Sequence, residues 1–408
     1  MAAMTSTAIN RASAESLIWK ACDDLRDALP VDQGLDVVLD VMLWARWIPT
    51  SDAILIGYFD AMRSLASADE WSSIQATIAE RSGTSYSPAA GMRRLEPKCI
   101  ERLRATLLPV SRALNSGDPL QCRAVIEAMV ALKSDDRRGA GWGSSSSMES
   151  LWEALLAFHP QQDVACLFPI GVAAAPGLGM DHPLLIACAN PGQEAWILGL
   201  LSLYSEAVKP KSVADHECWP LAIAAPPWGE KTRELLEDDP WLPPSPLDCP
   251  AAIREVEARR VYGAHQRCSG ITYALVSAGL GFRTSRDLEY FREELVNKNW
   301  LDAAIALPPG ALGSAGPKGL LLVLRKDRLA GEPVLLISAE ERLLPSKGRV
   351  SKQIWNPEAV KELADLLHER RETSDSRLVA IKELEANGFS FQVSRYLHSE
   401  GDLMLQRY

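Results

Sequence analysis

The sequence has no Cys-x-x-Cys pair, few histidines, no long basic run and no uninterrupted apolar stretch of membrane-spanning length. Its eight cysteines (Cys22, Cys99, Cys122, Cys166, Cys188, Cys218, Cys249 and Cys268) are scattered, and its six histidines cluster with none of them. That excludes the usual zinc spacings, so no metal is expected and reduced thiols of a cytoplasmic protein are. The longest apolar stretch, residues 164–180, is broken by Pro169, Gly171 and Pro176, and residues 1–15 hold Ala, Ser and Thr without an apolar core. Neither a signal peptide nor a membrane span is therefore expected. The formal charge is −10, so the chain is no strong nucleic-acid binder by charge alone; contact with DNA would need a local basic patch or a partner.

What is present points to two regions. Leu17, Ile18, Cys22, Leu25 and Leu29 recur at helical spacing until Pro30, and residues 35–47 form a second, strongly apolar helical run. Residues 16–133 read as helical throughout. Residues 135–147, Asp-Asp-Arg-Arg-Gly-Ala-Gly-Trp-Gly-Ser-Ser-Ser-Ser, have linker composition, which divides the chain into a helical domain, 1–147, and a second domain, 148–408. From Met148 short apolar runs alternate with helical ones. The pattern predicts an α/β fold with a mixed, mostly parallel sheet and helices on both faces. Strands are expected over 183–188, 271–276, 300–307, 319–326 and 333–338, a helix over 285–297, and an acidic, proline-rich surface loop over 234–250.

One further strand organises the rest. Leu221-Ala222-Ile223-Ala224-Ala225 runs into Pro226, Pro227, Trp228 and Gly229. Two prolines cannot continue a ladder, so the strand stops there and presents free carbonyls and an indole beyond its carboxyl end, where sites in parallel sheets are built. Taken alone, the tetrapeptide Ala225–Trp228 is equally a strand that ends in a turn.

This stretch resembles the Asn-Pro-Pro-aromatic signature of adenine-N6 DNA methyltransferases, with Ala225 where that family has Asn or Asp. Other segments are similar to the methylation subunits of type I restriction-modification systems. They are Ser16–Arg26 with Leu35–Arg46, then Phe291–Pro309 with Leu321–Lys326, and lastly Trp355–Ala364 and Ser376–Tyr396. The resemblance implies a Rossmann-like, S-adenosylmethionine-dependent methyltransferase domain after the helical one. It implies DNA as substrate, a separate specificity subunit as partner, and often two copies of the chain.

The resemblance also assigns site positions. Pro226 supplies a carbonyl and Trp228 a stacking surface for a base flipped out of the duplex, while Ala225 has no side-chain acceptor for the adenine amino group. The family's acidic and glycine-rich cofactor turn falls on residues 163–171, where Cys166 covers the acidic position and Gly171 remains of the glycine pair. The ribose-binding acidic position falls on Asn190, or on Glu194 under a shifted alignment. Fold-forming segments are kept and Ala225, Cys166 and Asn190 are altered together. The expectation is thus a catalytically degenerate, DNA-associated or complex-assembling relative; the alternative is an active or weakly active enzyme that uses Glu194, Trp228 and Glu230.

Overall fold

A computed structural model describes residues 8–47, 97–133, 148–167, 184–187, 191–203, 211–212, 218–226, 252–309, 318–340, 343–345 and 353–397, a few single positions excepted, together with isolated residues such as Trp228. The chain forms two compact units, residues 1–144 with 175–212 and residues 145–174 with 213–408.

The first unit is built on helices α1 (Arg11–Asp24), α2 (Val31–Trp47), α3 (Pro97–Ser116) and α4 (Pro119–Lys133). Asn10 starts α1: its side chain accepts the Ser13 N–H at 2.9 Å and the Ser13 hydroxyl accepts the Asn10 N–H at 3.0 Å. This reciprocal cap satisfies two donors that a helix start leaves orphaned, so the helix begins ahead of Ser16. Ala14, Ile18, Ala21 and Cys22 then form a buried stripe against α3 and α4. Asp118 accepts the Leu120 N–H at 3.0 Å and so caps the start of α4.

Residues 175–212 group with this helical unit, so the division falls elsewhere than at a simple boundary near residue 147. The reason is packing. Helix α6 (Pro191–Leu201) buries Trp196, Ile197, Leu198, Leu200 and Leu201 and contacts α2. Lys133 lies over the Trp196 ring, 5.1 Å from its centroid, and pairs with Asp36 at 3.3 Å; Arg46 donates to the Leu203 carbonyl at 3.1 Å. Strands β2 (Leu184–Ala187) and β3 (Lys211–Ser212) pair in parallel in this unit.

The second unit contains helix α5 (Glu149–Leu156), strand β1 (Val164–Leu167), β4 (Trp219–Ala224), helix α7 (Val256–Arg267), β5 (Cys268–Ser277), helix α8 (Arg286–Asn297), β6 (Leu301–Ala306), β7 (Gly319–Arg325) and β8 (Val334–Ser338). A short antiparallel pair, β9 (Leu343–Pro345) and β10 (Gln353–Trp355), precedes helix α9 (Pro357–Glu369), strand β11 (Ser376–Val379) and helix α10 (Ile381–Ala386). The sheet strands of this unit run in the order β11-β8-β6-β7-β5-β4-β1. Pairs β1–β4, β4–β5 and β6–β8 are parallel; β7 is antiparallel to both its neighbours and β11 to β8. The sheet is mixed, as expected for the fold class.

The sheet core is apolar along whole strands, as doubly covered strands require: every residue of β1 and the first six of β7 are buried. Helix α7 packs on β4 and β5, and α5 packs on α9, where Phe158 stacks on His368 with centroids 4.2 Å apart. A charged exception is Asp302 of β6, 3% exposed, which pairs with Arg328 at 3.2 Å, with Arg325 at 3.8 Å and with Arg370. Arg370 takes the left-handed conformation that ends α9 (φ 51°) and brings its guanidinium to that carboxylate.

Candidate functional site

The site is built on β4. Its neighbours β1 and β5 run parallel with Leu167, Ala224 and Ala274 in register, so three carboxyl ends lie side by side. Beyond the strand, the Ala225 N–H still bonds the Leu167 carbonyl at 3.3 Å, and the ladder ends at the prolines. Ala225 is fully buried and Pro226 is buried. The position that resembles a catalytic Asn or Asp is therefore a methyl group in the sheet core whose backbone donor is already bonded.

Trp228 folds back over the sheet end. Its indole N–H donates to the Leu275 carbonyl at 3.4 Å, an acceptor beyond the last β4–β5 pair, Ala224 with Ala274. A Cβ on Gly319, the first residue of β7, would lie 3.1 Å from the indole Cη2, with the Leu307 Cδ1 at 3.3 Å. The ring thus rests where a glycine leaves room, half-buried, with its N–H engaged. Gly319 and Leu307 also line a cleft of about 480 Å³, bounded further by Ala278, Phe282, Ser338 and Phe391.

A carboxylate that sequence reasoning missed stands at the same end of the sheet. Glu257, in the first turn of α7 and 3% exposed, accepts both the N–H and the hydroxyl of Ser277, the latter at 2.9 Å. Burial pushes its carboxyl up to about 7, against the Ser277 hydrogen bonds and the Arg283 charge, which favour the ionised form. The signal that could have found it is an acid on the apolar stripe of α7, at helical spacing from Val261 and Ala264, both buried. Both its oxygens bond Ser277, so it ties the start of α7 to the end of β5.

The predicted cofactor positions fare differently. Cys166 is fully buried in β1 opposite Ile223, and burial alone pushes its thiol up to about 12. It is a neutral core side chain. Gly171, Asn190 and Pro227 lie outside the described residues, as does Glu230; Glu194 lies on the backbone of α6, in the first unit. The structure brings Ala225, Pro226 and Trp228 to one strand end, with Cys166 in the core beneath. Among the described residues no group of His, Cys, Asp and Glu side chains is arranged to hold a metal, and no helix is long and apolar enough to cross a membrane.

Residues 209–402 match the model of the N-6 DNA methylases. The type I restriction enzyme MpnII methylase subunit of Mycoplasma pneumoniae is 22% identical over 125 residues, which are 30% of this chain; the match spans 22% of that protein's length. The fold is similar to the type I restriction-modification methyltransferase subunit of Streptococcus thermophilus, with a TM-score of 0.64, 12% identity, and coverage of 96% of this chain and all of the other. A chain from a structure on complex assembly in a type I restriction-modification system gives a TM-score of 0.58 at 14% identity, covering 97% of this chain and 96% of that one.

Proposed function

We propose that this chain, whose residues 209–402 match the N-6 DNA methylases, is a catalytically degenerate relative of the type I methylation subunit that serves as a DNA-associated or complex-assembling subunit. The observation that carries the reading is Ala225: a buried methyl with its N–H bonded to Leu167, where methylation of an adenine amino group needs an acceptor side chain. An adenine amino nitrogen is a poor nucleophile because its lone pair is delocalised into the ring, and only acceptors for its hydrogens free that pair. Loss of one preorganised partner costs about 2.7–4 kcal/mol, roughly a hundred- to a thousandfold in rate.

Among the described residues nothing nearby compensates. Both Glu257 oxygens bond Ser277 and the Trp228 N–H bonds Leu275. The described residues at the ends of β1 and β4 also fit S-adenosylmethionine poorly: Cys166 is a buried neutral thiol that offers no counter-charge to the cofactor's amine. In our reading Gly171, Asn190 and Glu194 are what remains of the cofactor contacts, too little for useful affinity. The chain's charge of −10 means that DNA is reached through a partner of the specificity-subunit kind rather than by this chain alone.

The test is methyl transfer from labelled S-adenosylmethionine to adenine-containing DNA by the purified chain and by Ala225→Asn. The reading expects background incorporation from both, because acceptor and cofactor contacts are lost together. Turnover by the unmodified chain overturns it.

A further inference from the structure

Helix α3 carries a charge opposite to that of the chain as a whole. Within a sequence of formal charge −10, its 20 residues hold Lys98, Arg102, Arg104 and Arg112 against the single acid Glu101, a net +3. Leu103, Leu107, Val110 and Leu114 are buried on the side packed against α1 and α2. On the other side the helical period brings Lys98, Arg102, Ala105, Pro109 and Arg112, all exposed, into one stripe. Arg104 is half-buried and lies off it. Along the axis Lys98 and Arg102 are about 6 Å apart and Lys98 and Arg112 about 21 Å, the length of roughly six base pairs of duplex DNA. Only the short side chains of Ala105 and Pro109 stand between the cations, so a large surface can approach.

Stability of the helix does not explain the arrangement. Lys98 lies in the first turn, which holds no acid, and there the helix dipole disfavours a cation. Among the described residues neither Lys98 nor Arg102 pairs with an acid. Asp24 of α1 approaches α3 on the buried side, where it accepts the Thr106 hydroxyl at 3.3 Å. The helix has no aromatic residue, so it offers nothing for an unpaired base to stack on, as a single-stranded ligand would need. Cations alone meet phosphates, and such contacts carry no sequence information.

We propose that the exposed face of α3 grips the phosphate backbone of duplex DNA, with Lys98, Arg102 and Arg112 each on one phosphate. The proposal rests on the reading of the chain as a DNA-associated subunit and names where the chain itself touches DNA that a partner selects. Three neutralised phosphates release counterions, so the logarithm of the binding constant falls against the logarithm of salt with a slope of about −2.7. Between about 20 and 100 mM salt that is a loss of about eightyfold. The grip is therefore weak at physiological salt and takes effect once a partner holds the DNA.

The experiment follows the fluorescence anisotropy of a labelled duplex of arbitrary sequence as the full chain is added, from low salt upward. Salt-dependent binding is expected, with a slope shallower by about 2.7 when Lys98→Gln, Arg102→Gln and Arg112→Gln are combined. Glutamine is a good helix former and the three positions are exposed, so the fold is kept, which circular dichroism checks. A control combines Lys361→Gln, Arg371→Gln and Lys382→Gln, three exposed cations of the second unit; it changes the net charge equally and should keep the slope. Bound DNA should also slow acetylation of Lys98 by an N-hydroxysuccinimide ester. The proposal is overturned if no duplex binds at low salt, if the control loses as much as the α3 variant, or if Lys98 acetylates as fast in the complex. Polyglutamate that competes for α3 as well as duplex DNA does would also overturn it and assign the face to an acidic protein. Methyl transfer is measured separately, so incorporation would overturn the degenerate reading and leave the α3 result standing.

Discussion

Glu257 offers the sharpest test of the site's electrostatics. Its carboxyl, ordinarily near 4.5, stands at about 7 in the fold, chiefly because burial penalises the charged form. The folded protein therefore holds this proton more tightly than the unfolded chain does. The sign follows from linkage: the group's contribution is most favourable below about pH 4.5, declines as the pH rises through the window to about 7, and is constant above it. The difference between 4.5 and about 7 corresponds to about 3 kcal/mol. Glu257→Gln keeps an acceptor for the Ser277 N–H and a neutral group of the same shape, and does not titrate. In urea unfolding followed by near-ultraviolet circular dichroism from pH 4 to 8, the variant should gain about 3 kcal/mol on the parent across that window. A stability difference that stays flat between pH 4.5 and 7 refutes the argument, and one that moves the other way means that the Ser277 hydrogen bonds outweigh burial.

Two further perturbations probe the second unit. Asp302→Ala leaves the buried Arg328 and its neighbour Arg370 without their shared carboxylate and should cost about 3–5 kcal/mol in chemical unfolding; Asp302→Asn should cost less, because the amide oxygen still accepts. Gly319→Val drives a branched side chain into the Trp228 indole, with an expected loss of about 1–3 kcal/mol and a shift in tryptophan fluorescence that a Trp228→Phe background abolishes. Unchanged fluorescence would mean that the indole does not rest on β7.

Elements whose cause is local were legible in the sequence. The apolar runs at 300–307, 319–326 and 333–338 became β6, β7 and β8 within a residue at each end, because a strand buried on both faces needs an unbroken run and both ends are marked by polar residues or proline. The β4 stop at Ala225 was legible for the same reason. Contacts between distant residues were not. The capture of residues 175–212 by the helical unit rests on Lys133 over Trp196 and on Arg46 at the Leu203 carbonyl, pairs that no periodicity announces. The seat of the Trp228 ring was not legible either, because nothing local places Gly319 beneath it. Glu257 stood on an apolar helical stripe, but its pairing with Ser277 depends on where β5 ends, and Cys166 became a core residue once β1 was flanked in register by β4.

The proposed function requires that the chain no longer binds S-adenosylmethionine and has lost its catalytic acceptor. Calorimetric titration of the purified chain with S-adenosylmethionine, repeated with S-adenosylhomocysteine, tests it most directly. No binding heat is expected at millimolar ligand. Micromolar binding would contradict it and return Asn190 or Glu194 to the cofactor site.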